Sequence, residues 1–471
     1  MSGPTLAEQI AAFAVATTYD SLPADVVESV GMRVLDTLGI AVAAADLDTS
    51  RAARSWARDQ AGGGPASAVG VAEPLPANLA AFVNGVLAHS LDYDDTHLPS
   101  VLHPSATVVP AALAAAQAHG ADGRALVRGI AIGLEVCVRL GMAGYDTRTK
   151  NSTFFENGQH ATSICGAMGG AVAAAVIGGA SAKAITDTMG VAASMASGII
   201  EANRTGGTVK RIHCGWAAHA AISAASLVEY GITGPPTVLE GRFGFFQSWL
   251  HGNYDPAQVS ADLGTAWSVP GIFVKPYPAN HFTHAAVDAA AALRAAGVTP
   301  DAVRRLTLGV PAPNLRTIGE PIEVKRAPET GYMAQFSGPY AVAVGLLGGH
   351  GLGAGLEDYT DALAQDPARR ALMAKVDVVA DAQCTEIFPH QFPAVLTAEL
   401  DDGRVLVEKV LTTRGGPDRP LSFDEIVAKF ATNAGRQLDD AAVSTLADLC
   451  RDLAGASTMD ALLRPLTAID A

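Results

Sequence analysis

The sequence predicts a mainly α protein, a large all-α helical domain with a smaller inserted α+β domain. Apolar residues recur at helical spacing through the first 270 residues, alternate at strand spacing from 306 to 310 and on both sides of Asp402-Gly403, then return to helical spacing. Hydrophobic residues make up 49% of the 471 and charged residues only 17%, which suits a chain with room for two substantial cores. The 48 glycines, beside a still larger stock of alanine, predict close helix–helix contacts rather than leucine seams.

The elements follow in order. Thr5-Leu6-Ala7-Glu8 has the capping-box pattern, in which hydroxyl and carboxylate satisfy the free N–H groups of a helix start, and Ile10 and Phe13 continue the stripe. Ser21-Leu22-Pro23 precedes Val27, Val30, Val34 and Leu38 at helical spacing, with proline near the first turn. Alanine-rich helices are expected at 110–118, 166–176 and 217–227. Residues 164–182 lack charge over a membrane-length window, but their side chains are small, so a buried core helix is the better reading. Leu306, Leu308 and Val310 alternate as in a half-buried strand, and 395–400 and 405–410 flank Asp402-Gly403 as a hairpin. Ser422-Phe423-Asp424-Glu425 is a second capping box, with Ile426 and Phe430 behind it, and Leu446, Leu449 and Leu453 form a last helix. The expected domains are 1–270 with 417–471, all-α, and 271–416, α+β.

Charge and cysteine content narrow the function. A net charge of -15 argues against nucleic acid or an anionic membrane as partner, yet leaves room for a small anion in a locally cationic pocket. Cys137, Cys165, Cys214, Cys384 and Cys450 show no Cys-x-x-Cys pair, so reduced thiols in a cytoplasm are expected rather than disulfides or a zinc site. No basic segment precedes the first apolar residues, so no signal peptide is expected. Gly349-His350-Gly351-Leu352-Gly353 follows a helical pattern without a Walker lysine and reads as a helix stop. The sequons at Asn151 and Asn203 carry no weight in a cytoplasmic protein.

Four segments carry chemistry. Asp92, Asp94, Asp95, Thr96 and His103 lie within fourteen residues in an apolar, alanine-rich region, where clustered acids beside an imidazole shift one another's pKa values. A single aspartate there would be a solvated helix end; the set reads as an active site. Its spacing matches no calcium loop and no zinc pattern, so no metal is expected. His160-Ala161-Thr162-Ser163 offers a helix start facing an anion, against the plainer reading of a satisfied core histidine. Lys210, Arg211 and His213 form a local basic knot ahead of the 217–227 helix, and follow the loop that begins at Arg204. Lys275-Pro276-Tyr277-Pro278-Ala279-Asn280-His281 lies at the expected domain junction, its direction stiffened by the prolines.

These segments, in this order, resemble the MmgE/PrpD family of 2-methylcitrate dehydratases, cis-aconitate decarboxylases and iminodisuccinate epimerases. The matching stretches are LDYDDT, HPS, GQHATSICG, GGTVKRIHCGWAAHAA, ITGPPTVLEGRFGFF, KPYP and AQFSGPYAVA. The resemblance implies the two-domain fold with the inserted domain as a lid, a homodimer, no organic cofactor and no iron–sulfur cluster. By position it places the site on Asp92, Thr96, His103, His160, Lys210 and Lys275, and puts Asn280 where the decarboxylases carry histidine, with His281 adjacent. The expectation is a metal-independent lyase acting next to a carboxylate of a small di- or tricarboxylate, eliminating water rather than carbon dioxide. His103 carries the proton, Asp92 tunes it, Lys210, Lys275, His213 and His160 clamp carboxylates, Thr96 binds a substrate oxygen and Tyr277 is a further proton donor. An iminodisuccinate-like epimerase needs the same carbon-acid chemistry. Asp92-Tyr93-Asp94-Asp95 also matches the Asp-x-Asp-Asp of protonation-initiated terpene cyclases, but 6% aromatic residues are few for a carbocation cavity. A non-catalytic helical binding protein would show no turnover.

Overall fold

The computed structural model describes residues 3–202 and 206–469; Asn203, Arg204 and Thr205, named above in a sequon and a loop, lie outside the described residues. The chain forms two compact units, Met1–Phe273 with Asn433–Ala471, and Val274–Thr432. Where the sequence pattern suggested a return at 417, the second unit continues to Thr432. Arg414 explains the continuation: it pairs with Glu425 at 2.5 Å and donates to the Leu352 carbonyl at 2.9 Å, tying residues past 417 to this unit.

The first unit is helical: α1 (Leu6–Ala16), α2 (Ala24–Ala43), α3 (Asp48–Gln60), α4 (Ala77–His89), α5 (Ser105–His119), α6 (Gly123–Ala143), α7 (Ala161–Ile177), α8 (Ala182–Met195) and α9 (Val209–Glu229). Two short hairpins, β1 (Ala66–Ala68) with β2 (Val71–Leu75) and β3 (Tyr145–Asp146) with β4 (Asn151–Ser152), interrupt them. The Thr5–Glu8 capping box forms, with Glu8 N donating to Thr5 Oγ1 and Thr5 N to Glu8 Oε2. Every residue of α7 is buried, and α5, α6 and α9 pack around it. Glycines set the packing distance. A Cβ on Gly215 of α9 would lie 2.4 Å from the Phe82 carbonyl of α4, and one on Gly169 of α7 would lie 2.4 Å from the Gly133 carbonyl of α6. The expected small-residue contacts are therefore present. No helix among the described residues is long and apolar enough to cross a membrane.

All three alanine-rich helices start earlier than their local pattern indicates, α7 at Ala161 instead of 166. α5 begins at Ser105, not near Pro110, because Asp95 accepts from Ser105 N at 3.1 Å and from its Oγ at 2.5 Å. α9 begins at Val209, so Lys210, Arg211 and His213 stand on its first turns instead of preceding it.

The second unit is α+β. Strands β5 (Val303–Val310), β6 (Val376–Ala380), β7 (Ala394–Leu400) and β8 (Val405–Val410) form one sheet in the order β6-β5-β7-β8. β5 and β6 are parallel; the other pairs are antiparallel. Gly403, at φ +87, turns the expected β7–β8 hairpin. Helices α10 (His284–Ala295) and α11 (Gly338–Leu347) pack together, and α10 also covers β7 and β8. Leu306, Leu308, Leu396 and Leu400 meet Val287 and Leu293 in this core. α11 stops at Gly348, φ +87, which accounts for the glycine run after it. α12 (Phe423–Ala434) carries the second capping box, with Glu425 N donating to Ser422 Oγ. α13 (Asp440–Arg451) and α14 (Asp460–Thr467) end the chain's helical series.

Candidate active site

In the first unit, the residues after α4 form a dense polar cluster. Asp92 sits at φ +52, a left-handed conformation that aspartate tolerates better than most residues, and it bends the chain just past the helix. Asp94 then returns to α4, where its Oδ2 meets His89 Nδ1 at 2.7 Å in a buried pair. Asp95 points the other way, to Arg33 of α2 at 2.6 Å and to Ser105. Arg33 also donates to the carbonyls of Val269 and Ile272. Asp95 thus anchors the loop, while Asp92 and Asp94 face the cluster.

Thr96 is fixed by a two-way backbone bridge with Phe273, both bonds at 2.8 Å. His103 is held by three contacts. Its backbone N–H donates to Thr162 Oγ1 at 3.1 Å, its Nδ1 donates to the Asp95 carbonyl at 2.8 Å, and Thr96 Oγ1 lies 3.3 Å from that same nitrogen. A carbonyl can only accept, so Nδ1 keeps its hydrogen in both protonation states and the exchangeable proton belongs to Nε2. Asp94 Oδ2 lies 3.8 Å from Nδ1. The His103 side chain is 13% exposed, so it is partly screened from solvent.

His160 is the residue before α7, and His213 lies on the first turns of α9; their Nδ1 atoms are 3.0 Å apart. Ser163 Oγ donates to the His213 carbonyl, and Thr162 serves His103, so the Thr-Ser pair binds protein groups. Ring contacts link His103 to His89 at 5.3 Å, His89 to His160 at 5.5 Å and His160 to His213 at 4.9 Å. Lys210 Nζ lies 3.6 Å from Asp92 Oδ1.

The electrostatics divide the imidazoles. Burial opposes charge on His89, but Cys214 and Asp94 outweigh it and raise the ring to about 10. Burial, then His89 and Lys210, lower His213 to about 4, and the same causes push His160 well below its ordinary value. A cationic His89 therefore stands among neutral rings, with Lys210 beside it. One ring of the neutral pair donates its Nδ1 hydrogen to the other. Asp92, Asp94 and His103 each bring one potential ligand atom within 4.8 Å of the others.

In the second unit, Lys275 is 2% exposed. The Tyr277 hydroxyl donates to the Asp288 carboxylate, with Arg414 Nη1 3.4 Å away. Burial, then the Asp288 charge, push that phenol up. Tyr277, expected as a further proton donor, thus holds its hydrogen on the half-buried Asp288 carboxylate, which Arg419 also reaches at 2.9 Å. Asn280 Oδ1 accepts from Phe282 N at 3.1 Å and caps a short turn. His281 lies edge-on to Phe392 at 5.3 Å and next to His284 at 4.6 Å.

The structure thus brings together Asp92, Thr96, His103, His160, Lys210 and His213 within the first unit, and places Lys275, Tyr277, Asn280 and His281 in the second. It adds His89, which the sequence pattern missed. Its only signal was a histidine ending an apolar helix three residues before Asp92.

The chain matches the MmgE/PrpD N-terminal domain over residues 8–258 and the MmgE/PrpD C-terminal domain over 277–453. It is 29% identical to a cis-aconitate decarboxylase of Homo sapiens over 411 residues, covering 83% of this chain and 80% of that protein. A cis-aconitate decarboxylase of Aspergillus terreus is 25% identical over 473 residues, covering 95% and 93%. A cis-aconitate decarboxylase-like protein of Aspergillus oryzae is 26% identical, covering 89% and 88%. With both domain models matched in order across the two units, the chain belongs to the MmgE/PrpD family.

Proposed function

We propose that this protein is a lyase that releases carbon dioxide from a small unsaturated tricarboxylate of the cis-aconitate type. The expected preference for eliminating water is not supported, because the relatives that match over most of their length are named as decarboxylases. The observation that carries the reading is His103, with Nδ1 fixed on a carbonyl and Asp94 behind it, in a cluster that also holds the cations of His89 and Lys210.

In this reading the bond from carbon to the departing carboxylate breaks and its electron pair stays on carbon, spread through the adjacent double bond. Lys210 and the one free imidazole N–H of the His160–His213 pair bind the remaining carboxylates and stabilise the developing charge. Protonated His103 delivers one proton from Nε2 to carbon, and carbon dioxide leaves without a redox change. Thr96 orients a substrate oxygen. The family resemblance assigns Lys275 a carboxylate-binding role as well.

The test is proton NMR in deuterated buffer with cis-aconitate, citrate, 2-methylcitrate and iminodisuccinate. Loss of carbon dioxide from cis-aconitate, with one deuteron incorporated into the product, is the expected result. Dehydration of 2-methylcitrate without decarboxylation of cis-aconitate would overturn it. So would inversion of iminodisuccinate as the sole reaction, which would make the enzyme an epimerase.

A further inference from the structure

A second cationic feature of the first unit uses none of the residues described above. Helix α3 carries Arg51, Arg54 and Arg58, whose i, i+3, i+7 spacing puts them on one side of the helix. All three line a cavity of about 370 Å³, together with Ser55, Gly70 and Thr467. That volume falls in the roughly 300–1,000 Å³ range of small-molecule sites.

The unusual member is Arg54, which is 3% exposed. Its Nη2 donates to the Ala45 carbonyl at 2.8 Å, but its Nη1 is buried with no hydrogen-bond partner among the described residues. Burial, then the like charges of Arg58 and Arg51, lower its pKa; Asp46 acts in the opposite direction. Gly70 makes the arrangement sterically feasible, since a Cβ at that position would fall 2.1 Å from Nη1. A buried guanidinium flanked by two others is an unfavourable arrangement on its own, and an anion in the cavity they line relieves the repulsion.

Arg51 and Arg58 are available to such an anion. Each is about half exposed; Arg51 pairs with the exposed Asp48 at 2.7 Å, and Arg58 has the exposed Glu73 at 4.0 Å. Water-exposed pairs of this kind contribute little, so a ligand can replace them. Arg58 also donates to the Gly70 carbonyl at 2.9 Å, which holds its guanidinium at the cavity wall.

We infer that the Arg51–Arg54–Arg58 cavity is a binding site for the oxyanion of a small molecule, a phosphoryl or carboxylate group held by guanidinium forks. Its volume limits the ligand to a small molecule, and the net charge of -15 disfavours a nucleic acid there.

The experiment is calorimetric titration of the full chain with inorganic phosphate and, separately, with succinate, at an ionic strength fixed with chloride. At least one should bind saturably, and Arg51→Gln with Arg58→Gln should weaken that binding at least tenfold while leaving the ligand-free melting temperature unchanged. The anion that loses affinity in the double variant identifies the group recognised; succinate binding that survives it belongs to another site. Because both substituted residues are half exposed, the test does not depend on Arg54 variants folding. Gly70→Ala, which crowds Nη1, gives an independent second loss. The proposal fails if neither anion binds, or if the double variant binds as tightly as the parent.

Discussion

Three aspartates within four positions have three different surroundings, and the differences come from which helix each one meets. Asp95 holds Arg33 and Ser105, Asp94 holds His89, and Asp92 faces Lys210. The sequence showed that the group was unusual but could not separate its members, because their partners lie on α2, α4 and α9. Two outcomes follow at this scale. His103→Ala should lower kcat by about 10²- to 10⁴-fold, the range for a positioned proton carrier, with an unchanged melting temperature; undiminished turnover would remove its role. Asp94→Asn tests the His89 pair through pH. His89 is raised from 6.5 to about 10, so its contribution is complete below about 6.5 and disappears as pH rises through 10. The stability gap between parent and Asp94→Asn, measured by urea unfolding, should be widest near pH 6.5 and narrow toward pH 10. A gap independent of pH would mean that the pair is not ionic.

At the scale of elements, the cluster depends on how closely α4 and α9 approach. α4 ends in His89, and α9 carries Lys210 and His213 on its first turns; they cross where a Cβ on Gly85 would lie 2.8 Å from Gly215 Cα. Gly215→Ala forces the new methyl against the Phe82 carbonyl, which neither helix can move without shifting its neighbours. Overpacking of this kind costs about 1–3 kcal/mol. Stability and turnover should therefore fall together in Gly215→Ala. Gly271→Ala, with nothing within 4 Å of the added carbon, should be neutral in thermal melts. Periodicity, two capping boxes and the Asp-Gly hairpin made most of these elements legible, since each is a local signal. The early starts of α5 and α9 were not. One depends on a carboxylate ten residues upstream, and the other runs through a basic segment that reads as a loop when its partners are unknown.

Across the whole molecule, the division into a helical unit and an α+β unit was legible from the change in hydrophobic period, while the position of the second crossing depended on Arg414, a long-range tie that no window contains. Burial of chemistry is the property that most distinguishes the folded chain from the unfolded one. All five cysteines are free and buried, and burial raises the thiols of Cys137, Cys165, Cys384 and Cys450. A thiol-specific chromogenic reagent should therefore find almost none in the native protein and all five in urea; rapid reaction in the native state would contradict this burial.

The histidines give the corresponding response to acid. Burial lowers His97 and His213 to about 4, and it also pushes His160 well below the 6.5 of an exposed ring. A depressed folded-state pKa confers stability that is present above 6.5 and lost as pH falls through about 4, because the unfolded chain binds those protons first. Urea midpoints should fall steadily from pH 6.5 to pH 4, with protons taken up on unfolding. His213→Gln, which keeps a polar group at the ring's position but cannot titrate, should flatten that slope even where it lowers stability at neutral pH. An unchanged slope in the variant would mean that acid opens the protein elsewhere, and that the neutral imidazole pair beside Lys210 does not limit its tolerance of low pH.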